Sequence, residues 1–324
     1  MLVSVIIPTY NYAQYISEAI ESILTQENFD GEIEIIVVDD GSTDTTPEVV
    51  NRYGSRVQYI RQENQGKAKA TQVGIASAKG KYLFNLDADD FFMPTRISKA
   101  VKIFEHDPEI VHVAHPALWE YIDESTQRIE LISANLLEKK LNGKDLLKIF
   151  YKERVFYGGG TTFAVRTETM KKILVPIGVD MYTDEFLGLA VLNEGFSYFI
   201  AEPLSVVRAH SQNFSRFIQD KSVIAKKMKR LLDSSVALND FVQTHDFEVE
   251  LKRLFAFSYA VRKVAFEEEY GKKTVGQVAE LWKMAWHIAK PWETDFWKIV
   301  KNYTLINRSL PSSWLKSLKK LKNE

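Results

Sequence analysis

Tyr82-Leu-Phe-Asn-Leu-Asp-Ala-Asp-Asp90 is the stretch on which the fold turns. It begins as a short, unbroken apolar run, the pattern of a strand buried on both faces. It ends in a burst of carboxylates. Working outward, residues 3–7, 33–38, 57–60 and 110–114 repeat the apolar run. Helical spacing lies between them: Tyr15, Ile16, Ala19, Ile20, Ile23 and Leu24 share one face, and a further helix is expected over residues 95–105. Gly31, Gly54 and Gly80 each stand just before a strand, where a chain leaving a helix must turn. This alternation implies right-handed βαβ units, hence an α/β domain with a Rossmann-like, mostly parallel central sheet flanked by helices.

Composition narrows the function classes. At 45% hydrophobic and 26% charged, the 324-residue chain is neither disordered nor collagen-like. Forty-two basic against forty-three acidic residues leave a net charge of −1, so no nucleic-acid partner is expected. With no cysteine there are no disulfides, thiol nucleophiles or zinc-thiolate sites, which fits a reducing compartment. No run approaches the roughly eighteen apolar residues of a membrane span. The opening residues lack a basic region and meet Pro8, so they read as a first strand rather than a signal peptide. A cytoplasmic protein is expected, and the Asn-x-Ser/Thr triplets at Asn213, Asn302 and Asn307 read as chance matches.

From about residue 158 to 217 the pattern is mixed. Beyond Asp220 it turns helical: Leu254, Phe257, Val261 and Val264 step by three and four, as do Val278, Leu281, Trp282 and Ala285. The expected division is a catalytic-type domain over residues 1–218 and a helical C-terminal region over 219–324. Apart from Trp119, the tryptophans lie after residue 280. The last segment sets Trp314, Leu315, Leu318 and Leu321 against Lys316, Lys319, Lys320 and Lys322. That basic tail is a candidate for peripheral contact with the inner membrane face, near a lipid-linked acceptor. Its plainer reading is a short helix packed on the protein with its lysines in water. The helices before it would cover an acceptor or form a homo-oligomer.

Ligands of open parallel sheets bind at the carboxyl ends of the strands. Here those ends carry Pro8-Thr9-Tyr10-Asn11, Asp39-Asp40-Gly41-Ser42 and Asp87-Ala88-Asp89-Asp90. So many carboxylates on one edge repel unless a cation joins them, and a divalent metal with a diphosphate does that. On an extended segment Asp87 and Asp89 point the same way, giving paired hard oxygen ligands for Mg²⁺ or Mn²⁺. The plainer reading is a solvated turn with Asp90 capping the helix near Pro94.

Together Ser4-Val-Ile-Ile-Pro-Thr-Tyr-Asn11, Val37-Val-Asp-Asp-Gly-Ser-Thr-Asp44 and Leu86-Asp-Ala-Asp-Asp90, in that order and spacing, resemble the family 2 glycosyltransferases of GT-A fold. Asn64-Gln-Gly-Lys-Ala-Lys-Ala-Thr-Gln-Val-Gly74 is similar to that family's Asn-x-Gly segment, with Thr71-Gln72 where members often show Arg-Asn. The resemblance implies an inverting, metal-dependent enzyme using a nucleoside-diphosphate sugar, with UDP favoured. It implies that Pro8, Thr9 and Tyr10 line the nucleoside pocket and that Asp40, with Asp39 beside it, accepts the N3–H of uracil. Asp87 and Ala88 would lie by the ribose, Asp89 and Asp87 would hold the metal, and Lys67 would approach the nucleotide.

Thr183-Asp184-Glu185, with Gly195 following, resembles the family's Glu-Asp motif and implies Asp184 as the general base; Thr183 replaces the usual glutamate. An acidic first helical turn explains the same residues structurally. Arg208-Ala-His210 resembles the family's Arg-x-His element, with His210 completing the metal site or touching the diphosphate. Residues 158–162 are not a phosphate loop, since no Gly-Lys-Ser/Thr follows, and read instead as a place where a sugar approaches the backbone. The missing Gln-x-x-Arg-Trp element implies transfer of single sugars to a glycan, lipid-linked or protein acceptor, in glycan or cell-surface polysaccharide synthesis. Three other classes compete. A nucleotide-sugar-binding protein without turnover is opposed by the intact Asp40, Asp87, Asp89 and Asp184. A nucleotidyltransferase would need a Gly- and Arg-rich first loop, and a dehydrogenase would need Gly-x-Gly-x-x-Gly.

Overall fold

The computed structural model of the chain describes residues 1–176, 178–210, 213, 221–269 and 275–288. The first strands form where apolar, β-branched residues run unbroken: β1 (Leu2–Thr9), β2 (Glu32–Asp39), β3 (Gln58–Arg61) and β4 (Tyr82–Asn85). They alternate with α1 (Ile16–Leu24), α2 (Thr46–Asn51) and α3 (Lys67–Ser77). These strands pair in parallel in the order β3-β2-β1-β4, with Thr9 opposite Asp39 and Ile6 opposite Asn85. Their carboxyl ends therefore share one edge. Val3, Val5, Ile7, Val37 and Phe84 are buried between the helical layers, each contributing roughly 1.5–3 kcal/mol of burial.

The sheet then changes character. After β5 (Phe91–Phe92) and α4 (Arg96–His106) come β6 (Ile110–Ala114), β7 (Leu118–Tyr121), β8 (Thr126–Ile129) and β9 (Lys140–Asn142). They are followed by α5 (Gly143–Glu153), β10 (Ala164–Arg166), α6 (Thr167–Lys171), α7 (Thr183–Leu192), β11 (Phe196–Phe199) and β12 (Ser205–Ala209). β10 inserts antiparallel between β4 and β6, and β9 closes the far edge antiparallel to β11. The eight-stranded sheet is thus mixed on this side but mostly parallel as a whole, as the apolar runs suggested, with only β10 and β9 running against the rest. Short strands with few residues carry no periodicity that fixes direction. A second sheet, β5-β12-β7-β8, was not visible in the sequence for the same reason.

The insertion of β10 matters because Ala164 lies opposite Phe84 and Arg166 opposite Tyr82. Its amino end therefore starts at the carboxyl end of β4, and the glycine segment before it enters at the carboxylate edge. Arg166 fixes this arrangement by donating to the carbonyls of Ile110 at 2.8 Å, Phe104 at 2.6 Å and Asp107 at 3.1 Å.

The chain divides into two units, Met1–Leu146 with Phe156–Ser234, and Leu147–Val155 with Ser235–Glu324. The division falls inside α8 (Lys221–Thr244) rather than at 218/219. In the second unit, α9 (Val249–Glu269) and α10 (Val275–Ile288) follow. Leu254, Phe257, Val261, Val264, Leu281 and Ala285 are buried, as their spacing required. Tyr151 meets Phe255 edge-on at 5.0 Å, and Lys148 and Lys152 pair with Glu248 and Glu250. Among the described residues no helix is long and apolar enough to cross a membrane. Trp314 and the basic tail, Asn302 and Asn307 lie outside the described residues.

Candidate active site

The strand ends of β1, β2 and β4 deliver their residues to one edge, but the roles divide. Asp39 is fully buried; it accepts the Ser42 amide at 2.7 Å and the Tyr59 hydroxyl at 2.5 Å. These bonds hold the turn after β2. Asp40 accepts the side chain of Gln62 at 2.7 Å and the amides of Gln65 and Gly66 at 2.9 and 2.7 Å. Those bonds shape the loop that leads into Lys67. Asn11, in the left-handed region at φ 59°, accepts the Thr43 amide at 2.7 Å and ties the first two strand ends together. Pro8 and Thr9 are buried in β1, and the Thr9 hydroxyl oxygen is buried with no hydrogen-bond partner. Tyr10 is 43% exposed.

Residues 87–90 form a turn closed by the Asp90 amide on the Asp87 carbonyl at 3.0 Å, so the segment is not extended. The two aspartates expected to point together diverge. Asp87 pairs with the Lys67 ammonium at 2.9 Å. Asp89 turns to the His210 imidazole at 3.3 Å and the Asn213 side-chain amide at 2.7 Å. Ala88 between them is buried. Burial first, then the charge of Asp87, raises the Asp89 carboxyl above its ordinary range. Asp90 does not cap α4, whose first residue follows Thr95. It is buried, accepting the Arg208 amide at 2.8 Å and the Thr161 hydroxyl. Burial and the neighbouring Asp89 and Asp87 hold it well above the usual carboxylate range.

Lys67, in the first turn of α3, reaches past Asp87 to Asp184 in the first turn of α7, 3.3 Å from its Oδ1. Asp184 and Asp87 thus share one ammonium. Desolvation lowers the Lys67 pKa, but Asp184 and Asp87 outweigh it and hold the ammonium above its ordinary value. For Asp184, desolvation raises the carboxyl pKa and Lys67 opposes it. Gly160, at φ 54°, lies between them: a side-chain carbon there would stand 3.3 Å from Asp184 and 3.7 Å from Asp87. The backbone therefore passes close to both carboxylates. Thr161 next to it accepts the Asp87 amide at 3.2 Å.

Sequence reasoning passed over several residues here. Tyr15 stacks on His210 with centroids 4.7 Å apart, and Tyr12 sits near Asp89, its phenol raised by burial and by that carboxylate. Arg208 donates to the Asp89 carbonyl at 3.4 Å and pairs with Glu18 at 2.5 Å. Asn213 accepts the His210 amide at 2.6 Å while its own amide holds Asp89. Short polar loops give no periodicity; only the place of Asn213 three residues after His210 could have flagged it. Among the described residues no three His, Cys, Asp or Glu side chains converge as a metal site. Asp89 with His210 supplies one hard oxygen and one imidazole nitrogen. Those two donors are of the types that can hold a divalent cation.

The mixed sheet, with carboxylate-bearing loops on its carboxyl edge and a further carboxylate opposite, has the architecture of a GT-A domain. The glycosyl transferase family 2 model matches residues 4–174, more than half of the chain, and the chain belongs to that family. It is 33% identical over 215 residues to an uncharacterised glycosyltransferase of Nostoc sp., covering 61% of this chain and 64% of that one. Over 175 residues it is 35% identical to one of Haemophilus influenzae, covering 51% and 58%. The chain thus spans less than two thirds of the length of these relatives. Its fold is that of S. aureus TarS in complex with UDP-GlcNAc, at TM-score 0.64 and 17% identity over 95% of this chain and 91% of that one. A mannosyltransferase from Pyrobaculum calidifontis in complex with GDP-Man and Mn²⁺ matches at TM-score 0.53 and 18% identity, over 95% and 87%.

Proposed function

We propose that the protein transfers a single sugar, with inversion, from a nucleoside-diphosphate sugar to an acceptor hydroxyl on a glycan, lipid-linked or protein acceptor. The observation that carries this reading is the Lys67 bridge between Asp87 and Asp184. It joins a donor-side carboxylate to a second one on a different helix, the arrangement a displacement between two substrates needs. Asp184 takes the proton of the acceptor hydroxyl as that oxygen attacks the anomeric carbon. The bond from that carbon to the diphosphate oxygen breaks, and its electron pair leaves with the nucleotide. One displacement inverts the centre.

Pro8, Thr9 and Tyr10 supply the nucleoside pocket, with the exposed Tyr10 ring against the base and the unpartnered Thr9 hydroxyl as a polar contact. Asp40 has three of its roughly four acceptor positions filled, which leaves one for a base N–H. UDP is the favoured donor nucleotide; the TarS neighbour is bound to UDP-GlcNAc, while the mannosyltransferase neighbour holds GDP-Man. Asp89 and His210 would hold a divalent cation, which when bound stabilises negative charge on the departing diphosphate. Lys67 contributes a fixed positive charge on the same side. The competing reading, a binding protein without turnover, leaves the Asp184–Lys67 pairing without a purpose.

The test is calorimetric titration with UDP, GDP and dTDP, each with and without Mn²⁺. Metal-dependent binding of one nucleotide is expected. Absence of binding to all three would remove the donor assignments, and binding without release of sugar from any matching donor would favour the non-catalytic reading.

A further inference from the structure

The family match ends at residue 174, yet the base candidate lies at 184, so something beyond the matched segment must place it. Asp184 lies in the first turn of α7, and the loop before α7 is held by α8. Ser234 is fully buried and accepts the amides of Asp180 and Met181, both at 3.1 Å, while donating to the Gly178 carbonyl at 3.1 Å. One hydroxyl thereby ties three backbone groups of the loop over residues 178–181, using its donor and both acceptor positions. One turn earlier on α8, the Arg230 guanidinium grips the Asp180 carboxylate, its Nε at 2.7 Å and its Nη2 on the same oxygen. Asp180 in turn accepts the Thr183 hydroxyl on its carbonyl at 3.0 Å, at the first residue of α7.

Asp180 also touches the donor side. Gly66, whose amide binds Asp40, stands at φ 92°, and a side-chain carbon there would lie 2.6 Å from the Asp180 carboxylate. The donor loop and the base loop therefore meet at Asp180. We infer that Arg230 and Ser234 are positioning residues for the transfer reaction: through Asp180 they hold the start of α7, and with it Asp184, against the loop that carries Gly66 and Lys67. Neither touches a substrate. The two bonds are arranged in series with the chemistry, since Arg230 and Ser234 face Asp180, Asp180 faces Gly66 and Thr183, and Asp184 follows. Thr183, which stands where the family's motif usually has a glutamate, uses its hydroxyl for the same anchoring.

This inference rests on the proposed role of Asp184, and its test separates the two. The full chain is compared with Ser234→Ala and Arg230→Ala by hydrogen–deuterium exchange over residues 178–186. Exchange there is expected to rise at least tenfold in both variants while β1, β2 and β4 are unchanged. The positioning reading of the loop is overturned if both variants keep wild-type protection there. If buried Ser234→Ala fails to fold, the half-exposed Arg230→Ala decides alone. Donor turnover is then measured with the sugar nucleotide whose diphosphate binds the wild type. The expected pattern is a roughly tenfold to hundredfold lower kcat, a KM within twofold, and partial rescue by Arg230→Lys. A raised KM with unchanged kcat would overturn it. Wild-type protein that binds no nucleotide would instead sink the transferase reading, and the exchange comparison would still judge the clamp.

Discussion

On the parallel side of the sheet, β1, β2 and β4 each run straight from an apolar core into the strand ends that carry the candidate residues Thr9, Tyr10, Asp40 and Asp87. On the mixed side, the candidate residues come from helices, loops and the second sheet. Asp184 lies in the first turn of a helix, Gly160 and Thr161 precede a three-residue antiparallel strand, and His210 follows a strand of the second sheet. The parallel side places groups by main-chain register, so each candidate residue is a fixed step beyond a buried run. The mixed side places them by hydrogen bonds between segments far apart in sequence, such as Arg166 to Phe104 and Ser234 to Asp180. Register is robust to side-chain changes; a network of single bonds is not.

The largest effect should come where the two sides meet. Asp184→Asn is expected to lower donor turnover by about 10²–10⁴-fold, the range for a lost general base, and to leave nucleotide affinity within twofold. Asp89→Ala should do the reverse to binding, removing its Mn²⁺ dependence. Equal losses of affinity in both variants would erase the division of labour between the sides. Lys67→Met comes next. Loss of one charge-assisted bond to each carboxylate, about 1.5–3 kcal/mol, predicts a fall of roughly 10- to 100-fold in kcat/KM. If only KM rises, Lys67 serves the nucleotide alone and the bridge to Asp184 has no catalytic meaning.

The comparison also explains what the sequence could disclose. Strands and carboxylate clusters up to Asp90 were legible because burial on both faces forces an apolar run and the parallel order forces common ends. Asp184 and His210 were reachable only through the family resemblance, since nothing in Thr183-Asp184-Glu185 separates a base from a helix cap. The divergence of Asp87 and Asp89 was not legible. An Asp-x-Asp spacing points one way on a strand and another in a turn, and the turn is set by Thr161 and Arg208, which approach from the mixed side. The second sheet escaped for the reason that β10 did: strands this short are made by their partners.

A further difference lies in titration. The parallel side has no histidine in residues 1–95, whereas β6 carries His112, buried between the Ser197 hydroxyl at 2.8 Å and the Gly158 carbonyl at 3.0 Å. Burial, with Arg96 adding its charge, lowers the His112 pKa to about 4. The unfolded chain takes up this proton near 6.5 and the folded one does not until about 4. Stability from this group is therefore complete above about pH 6.5 and is lost as pH falls, by about 2 kcal/mol at pH 5. The raised carboxyls of Asp89, Asp90 and Asp184 act in the opposite sense, so the wild type alone does not isolate the term. Urea midpoints of wild type and His112→Asn at pH 7 and 5 do. The wild type should lose about 2 kcal/mol more than the variant, and equal losses would mean that acid acts elsewhere.

The smallest effect should be found inside the parallel side, where register carries the load. Ser4 is fully buried in β1; its hydroxyl donates to Glu34 on β2 and accepts the Gly80 amide at 2.8 Å just before β4. It looks like a three-way clamp of the kind Ser234 provides, yet its loss should matter less. The Gly80 amide has a second acceptor in Glu34 at 3.0 Å, and the Lys79 amide also binds that carboxylate. Removing the hydroxyl therefore strands no buried donor, and Ser4→Ala should cost only about 1 kcal/mol, the net worth of an ordinary hydrogen bond. For a unit of this size that is a fall of about 2–4 °C in Tm. Turnover should not change, because Thr9 and Asp39 stay paired by the strand ladder itself. A drop in kcat comparable to that of the Ser234→Ala variant would show that the parallel side, too, depends on single side-chain bonds, and the contrast between the two sides would fail.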